Sequence, residues 1–210
     1  MKKFTTIIFD FDGVIGNTIE EIKNIVVGLY EEFRHEKAKP EEIQKFIDKG
    51  VIQVIKELKI PLVKLPYFEK RVRDDLASRI ETVEIFKGMK DVLRQIKEEG
   101  YNIGILSSNS QENLKKIFKK NQIDFFDFIY SGSSLFGKGK VLAKLLKKEG
   151  LDHKKTIYIG DELRDVQAAK QNKVGVIAVG WGYNKETLLK EEKPDYFAGK
   201  PTDILKIISQ

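Results

Sequence analysis

The residues best suited to chemistry in this chain are two aspartates at the end of an apolar run, Ile7-Ile8-Phe9-Asp10-Phe11-Asp12-Gly13-Val14. Such a run reads as a buried parallel strand. It delivers Asp10 and Asp12 to the carboxyl edge of a sheet, where open α/β folds bind their ligands. On extended backbone, positions i and i+2 point to one face. Two anions side by side, with no cation next to them in sequence, repel each other unless a proton or a metal sits between them. Gly13 lets the chain turn away and brings bare backbone near a ligand. The competing reading is a strand that ends in an ordinary acidic turn, since Asp and Gly are common turn formers.

Three later segments carry polar residues of the same kind. Gly104-Ile105-Leu106 runs into Ser107-Ser108-Asn109-Ser110. Those short side chains can cap the following helix, which is the simpler account, or bind an anion together with its N-terminal amides. In Phe136-Gly137-Lys138-Gly139-Lys140, a lysine between glycines has the backbone freedom to approach a phosphate. With 38 Lys and Arg in the chain, some must adjoin glycine by chance. Thr156-Ile157-Tyr158-Ile159-Gly160 ends in Asp161-Glu162-Leu163-Arg164-Asp165, which places Asp161 and Asp165 one helical turn apart. An acidic first turn also compensates a helix dipole. Taken with Asp10 and Asp12, however, it gathers carboxylates at one sheet edge, and that is costly without a divalent cation.

The elements that must position these groups alternate along the chain. Strands are expected at 5–10, 102–106, 126–130, 156–160 and 174–179, with a weaker one at 196–197. Amphipathic helices are expected at 87–99, 111–121, 138–149 and 162–171. The pattern implies βαβ units and a Rossmann-like parallel sheet with helices on both faces. Gly100, Gly150 and Asn172 stand where helix C-caps belong. From Asn17 to Phe86 only helical periodicity remains, broken by Pro40, Pro61 and Pro66. The expected organisation is therefore an α/β core, 1–16 and 87–210, with an all-helical insertion, 17–86, after the first strand.

Composition narrows the chemistry. The chain has 210 residues and no cysteine, so thiolate nucleophiles, disulfides and sulfur-ligated metals are excluded. Two histidines are too few for a zinc site. A site built from carboxylates suits a hard cation, and Mg²⁺ comes first. The formal net charge of +6 arises partly from lysine pairs such as Lys115-Lys116, Lys119-Lys120, Lys147-Lys148 and Lys154-Lys155. These fall on the polar sides of helical patterns without interleaved aromatics, so solvated faces are expected rather than a nucleic-acid surface. No apolar stretch approaches the roughly 20 residues that span a bilayer. Asp10 and Asp12 interrupt any signal-like apolar region after Met1-Lys2-Lys3, and a cytoplasmic location is expected.

The ordered series Asp10-Phe11-Asp12-Gly13-Val14, Ser107, Lys138 and Gly160-Asp161-Glu162-x-x-Asp165 closely resembles the haloacid dehalogenase superfamily. The helical insertion resembles that superfamily's cap. Gly180-Trp181-Gly182-Tyr183, followed by Lys193-Pro194-Asp195-Tyr196, is similar to its phosphoglycolate-phosphatase-like branch. The resemblance implies a Mg²⁺-dependent phosphatase acting on a small phosphorylated molecule, as a monomer or homodimer.

By that resemblance Asp10 is the nucleophile that forms an aspartyl-phosphate, and Asp12 the general acid and then base. Ser107, with the amides near Ser108 and Asn109, holds the phosphoryl oxygens, and Lys138 balances charge. Mg²⁺ is held by the Asp10 carboxylate, the Asp12 backbone carbonyl and Asp161, while Glu162 and Asp165 orient water ligands and Lys138. Asp12 argues against the dehalogenases, which lack that carboxylate, and against the ion pumps, which carry a threonine there. Asn17-Thr18 departs from the branch, where an acidic residue is often found, and so does Phe86-Lys87-Gly88, where a proline-glycine pair is usual. The Asp48-Lys49-Gly50 turn resembles the cap's specificity loop; Lys49 either reaches a second anionic group of the substrate or simply faces solvent. A sugar phosphomutase on the same core and a non-catalytic phosphate-binding module are the alternatives.

Overall fold

A computed structural model describes residues 2–34, 36–39, 41–43, 55–56, 59–131 and 137–210. The Asp48-Lys49-Gly50 turn lies outside them. The central sheet has six strands: β1 (Thr6–Phe9), β4 (Asn102–Leu106), β5 (Phe128–Tyr130), β6 (Thr156–Gly160), β7 (Gly175–Val179) and β8 (Tyr196–Ala198). Their order is β5-β4-β1-β6-β7-β8 and every pairing is parallel. Two short strands, β2 (Gly16–Asn17) and β3 (Glu84–Ile85), form a separate antiparallel ribbon.

The apolar runs form strands because both faces of the sheet are covered. Alternate residues feed opposite cores. Ile7 and Phe9 join Ile103, Ile105, Ile157 and Ile159 on one side. Ile8 joins Leu106, Tyr158, Leu142 and Val166 on the other. Phe9 pairs in register with both Ile105 and Ile159, so the residues after β1, β4 and β6 emerge side by side at one edge. The chain leaves β1 for β4 on one flank, and β6 occupies the other, which makes the end of β1 a topological switch point where a crevice opens.

The helices that lie wholly among the described residues are α1 (Ile19–Arg34), α2 (Leu65–Ser78), α3 (Met89–Glu98), α4 (Gln111–Asn121), α5 (Lys138–Lys148), α6 (Leu163–Gln171), α7 (Glu186–Glu191) and α8 (Pro201–Ile208). Between β2 and β3 the described residues carry no strand. There α1 and α2 bury Ile25, Val26, Leu29, Tyr30, Phe68 and Leu76 in a hydrophobic cluster separate from the two sheet cores.

Expected ends shift by a residue or two. Helix α3 starts at Met89 because Gly88 precedes it in the left-handed region, φ 84°. Gly100 and Gly150 are also left-handed, as helix C-termini favour. After α6, Lys173 rather than Asn172 takes that conformation, φ 55°. Strands β2 and β3 and helices α7 and α8 are not foreshadowed in the sequence: two-residue strands and six- to eight-residue helices are too short to show a period.

Candidate active site

Asp10 is the first residue beyond β1, and its N–H donates to Ile159 O at 2.9 Å, which continues the ladder with β6. It is almost fully buried, 3% exposed. Lys138, at the start of α5, reaches the same pocket from a left-handed Gly137 and is 5% exposed. Its Nζ lies 2.5 Å from Asp10 Oδ2 and pairs with Asp165 Oδ1 as well. The ring of Tyr158 lies against the same ammonium, 5.5 Å from centre to Nζ. Burial alone would strip the proton from Lys138, but the two aspartates outweigh it and hold the lysine charged.

Asp161 follows β6 and Asp165 sits in the first turn of α6; both are fully buried. Asp165 Oδ2 accepts the N–H groups of Asp161 and Glu162 at 3.0 and 2.9 Å. Asp161 Oδ2 accepts the Tyr183 N–H at 2.7 Å. Gly13 and Gly182 back onto that carboxylate so closely that a Cβ on either would overlap it, and Gly13 also needs φ 77°. One carboxylate oxygen each of Asp10, Asp161 and Asp165 fall within 4.8 Å of one another.

Asp12, two residues on from Asp10 and just before the turn at Gly13, faces Ser107. Ser107, at the end of β4, donates from Oγ to Asp12 Oδ2 at 3.4 Å and accepts the Asn109 N–H at 3.0 Å. The side chain of Asn109 accepts from Ser110 N–H and from Asn113, and Ser110 Oγ caps α4 by accepting the Asn113 N–H. Ser110 and Asn109 therefore serve the helix end, whereas Ser107 faces Asp12. Ser108 is half-buried beside them.

The structure thus brings Asp10, Asp12, Ser107, Lys138, Asp161 and Asp165 to one edge. Asp165 pairs with Lys138 as expected and also joins the carboxylate cluster, whereas Glu162 pairs with Arg164. Arg164 carries no signal in the sequence, because an i, i+2 offset from Glu162 shares no helix face. Its charge helps pull both Asp10 and Asp12 toward the ionised form.

The electrostatics call for a further cation. Among the described residues, five acids (Asp10, Asp12, Asp161, Glu162, Asp165) meet two bases (Lys138, Arg164) in this region. Burial pushes the Asp10 carboxyl up to about 7, against the pull of Lys138. Asp161 is held well above the usual carboxylate range by burial and by Glu162 and Asp165. Burial raises Asp12 too, while the neighbouring Thr18 hydroxyl favours its charged form. Asp12 Oδ1 and Asp161 Oδ1 are buried without a hydrogen-bond partner. Hard oxygen donors, two of them orphaned, in a cluster with more acids than bases fit Mg²⁺.

The chain matches the haloacid dehalogenase-like hydrolase family over residues 7–179. It is 26% identical over 205 residues to a phosphoglycolate phosphatase of Synechococcus elongatus, spanning 97% of both. A pyrophosphatase of Bacillus mycoides is 24% identical over 217 residues, 99% of this chain and 98% of that one. A predicted phosphatase from Clostridium acetobutylicum superposes with a TM-score of 0.85 at 19% identity, over 98% of both chains. A haloacid dehalogenase-like hydrolase from Streptococcus pneumoniae gives 0.81 at 23% identity over 99% of both, and these two likenesses show the shared fold. The family match runs from β1 to the end of β7 and takes in every acid of the cluster, so the chain belongs to the haloacid dehalogenase-like hydrolases, on the branch of its phosphoglycolate phosphatase relatives.

Proposed function

We propose that this chain is a Mg²⁺-dependent phosphatase that hydrolyses a small phosphomonoester through an aspartyl-phosphate on Asp10. The observation that carries the reading is Asp10 itself: a buried carboxylate clustered with Asp161 and Asp165, yet paired at 2.5 Å with a lysine. A nucleophilic carboxylate must stay ionised beside a phosphate dianion, and a cation on each side serves that end. The names of the phosphoglycolate phosphatase and pyrophosphatase relatives support phosphoryl chemistry.

Asp10 attacks phosphorus, the bond from phosphorus to the leaving alkoxide breaks, and Asp12 donates a proton to that oxygen. Asp12 then takes a proton from water, which attacks the aspartyl-phosphate, releases inorganic phosphate and restores Asp10. Ser107 and the amides near Ser108 and Asn109 hold the phosphoryl oxygens, and Lys138 offsets their charge. The Asp10 carboxylate, the Asp12 carbonyl and Asp161 would hold Mg²⁺, which supplies charge neutralisation when bound. Asp165 fixes Lys138 and the Asp161 loop. The helical insertion, 17–86, acts as a cap over the crevice.

Phosphate release from para-nitrophenyl phosphate and a panel of metabolite phosphomonoesters tests this, with Mg²⁺ or EDTA, for wild type and Asp10→Asn. Turnover that needs both Mg²⁺ and Asp10 supports the reading. Folded wild type inactive on every member would overturn it.

A further inference from the structure

The segment Gly180-Trp181-Gly182-Tyr183-Asn184, directly after β7, has no part in the chemistry described above, yet it holds Asp161 from two sides. The Tyr183 N–H donates to the Asp161 carboxylate at 2.7 Å, and the Asn184 N–H donates to the Asp161 carbonyl at 3.3 Å. Asn184 Oδ1 also accepts the Leu163 N–H at 2.8 Å, which fastens the segment to the start of α6. Gly182 lies flush against Asp161 with no space for a side chain.

Trp181 and Tyr183 of this segment also touch residues that flank both strands connecting the helical region to the sheet. Trp181 Nε1 donates to Val14 O at 3.1 Å, just before β2. Its ring stands edge-on to Phe86, just after β3, with centroids 6.4 Å apart. Phe86 in turn donates its N–H to Ile15 O at 2.9 Å, so the two linkers are tied to each other. The Tyr183 hydroxyl bonds to the hydroxyl of Thr18, which is fully buried between β2 and α1. The Tyr183 ring packs against the hydrophobic cluster of α1 and α2.

Tyr183 therefore carries both contacts in one residue: its side chain grips the first linker and its own amide grips Asp161. The glycine before it and the asparagine after it leave little slack between the two. Linkers of this kind absorb the motion when an inserted unit shifts over a crevice. We propose that Trp181 and Tyr183 are positioning residues that couple the placement of the helical insertion to the Asp161 carboxylate. The inference rests on the phosphatase reading of the site, in which Asp161 is a cation ligand.

The test uses four full-length proteins: wild type, Tyr183→Phe, Thr18→Val and the double variant. Mg²⁺ affinity is measured by calorimetry without substrate, alongside kcat and KM for phosphate release. Trp181 is the chain's single tryptophan, so its emission during the Mg²⁺ titration reports on this loop alone. Tyr183→Phe keeps the ring and the amide and loses only the hydroxyl. Its Mg²⁺ dissociation constant should rise about 5- to 10-fold and its kcat fall by a similar factor, with KM changed less than about twofold. Thr18→Val removes the same bond from the other end and also withdraws the hydroxyl beside Asp12, so its kcat falls further, but in Mg²⁺ affinity the double variant should match Thr18→Val alone. The Mg²⁺-induced change in Trp181 emission should shrink in all three.

A tyrosine that merely fills space would lower the melting temperature of Tyr183→Phe and leave Mg²⁺ affinity, kcat and the emission response at wild-type values. That result would overturn the coupling, and so would additive losses in the double variant. Wild type that releases no phosphate, but binds Mg²⁺ in a manner that depends on Tyr183, would remove the phosphatase reading and leave the coupling standing.

Discussion

Asp165 fixes the loop that carries Asp161: its Oδ2 accepts the Asp161 N–H at 3.0 Å, while its Oδ1 pairs with Lys138. One carboxylate thus shapes the acidic loop and helps anchor the buried lysine. Its two oxygens have separable jobs, and two substitutions separate them. Asp165→Asn can still offer an oxygen to the amides of Asp161 and Glu162, but it presents an amide to Lys138. Turnover should fall on the order of 10²-fold, with a modest change in melting temperature. Asp165→Ala leaves two buried amides unpaired, at about 1–3 kcal/mol each. Thermal unfolding beside phosphate-release kinetics checks this, and equal melting temperatures for the two variants would contradict it.

Much of this arrangement is legible in the sequence, because the strands are buried on both faces and read as unbroken apolar runs. Asp10, Ser107 and Asp161 each follow such a run directly, so naming the strand ends names the site. Lys138 is only weakly legible, as a lysine between glycines among many lysines, and it is the resemblance to the family that gives it a role; in the structure the glycine before it opens the helix that carries it. What stayed hidden depends on contacts between distant segments. Arg164 matters through its pairing with Glu162 and its reach toward Asp10. Tyr183 matters because its amide meets a carboxylate 22 residues away and its hydroxyl meets Thr18, 165 residues away. No local period encodes such meetings. The same holds for β2 and β3, whose two-residue pairing exists only because the chain returns from its helical excursion.

Glycine 182 sets a steric limit on the Asp161 site. A Cβ there would overlap the Asp161 carboxylate, so Gly182→Ala must displace one or the other. Mg²⁺ affinity measured by calorimetry should weaken by at least about tenfold, since ligand placement within roughly 0.5 Å governs such sites. Gly28→Ala is the control. Gly28 lies inside α1 with open space where a Cβ would go, and alanine should raise stability there by about 0.5–1 kcal/mol. Wild-type Mg²⁺ affinity in Gly182→Ala would show that the site tolerates what the geometry forbids.

The crowded carboxylates imply that the site costs stability until a cation binds. Adding Mg²⁺ at 100 times its dissociation constant should stabilise the fold by about 2.7 kcal/mol, and EDTA should reverse the gain. Asp161→Asn keeps an oxygen for the Tyr183 N–H but removes an acid that burial disfavours when charged. That variant should melt higher than wild type in EDTA and gain little from Mg²⁺. Melting curves of both proteins across a Mg²⁺ series decide the matter. An Asp161→Asn protein that still gains the full increment would place the cation elsewhere.

A second acid away from the site ties the sheet together and gives stability a defined pH dependence. Asp127 Oδ2 accepts the Ile103 N–H at 2.8 Å at the entry to β4, and its other oxygen pairs with Lys97 of α3. Partial burial works to raise this carboxyl, but the bonds from Lys97 and Ile103 prevail and hold it below the ordinary value. A carboxyl lowered in the folded state favours folding at any pH above its unfolded value of about 3.9. That contribution disappears as pH falls through the lower, folded value. The side chain is 37% exposed, so solvent screening limits the effect to the order of 0.5 kcal/mol. Asp127→Asn should therefore unfold at slightly lower urea than wild type at pH 7, and the two midpoints should converge as pH drops below about 3.9. Urea titrations at pH 7, 5, 4 and 3 measure the gap. A gap that stays constant down to pH 3 would mean the Asp127 charge is not what holds α3 and β4 together.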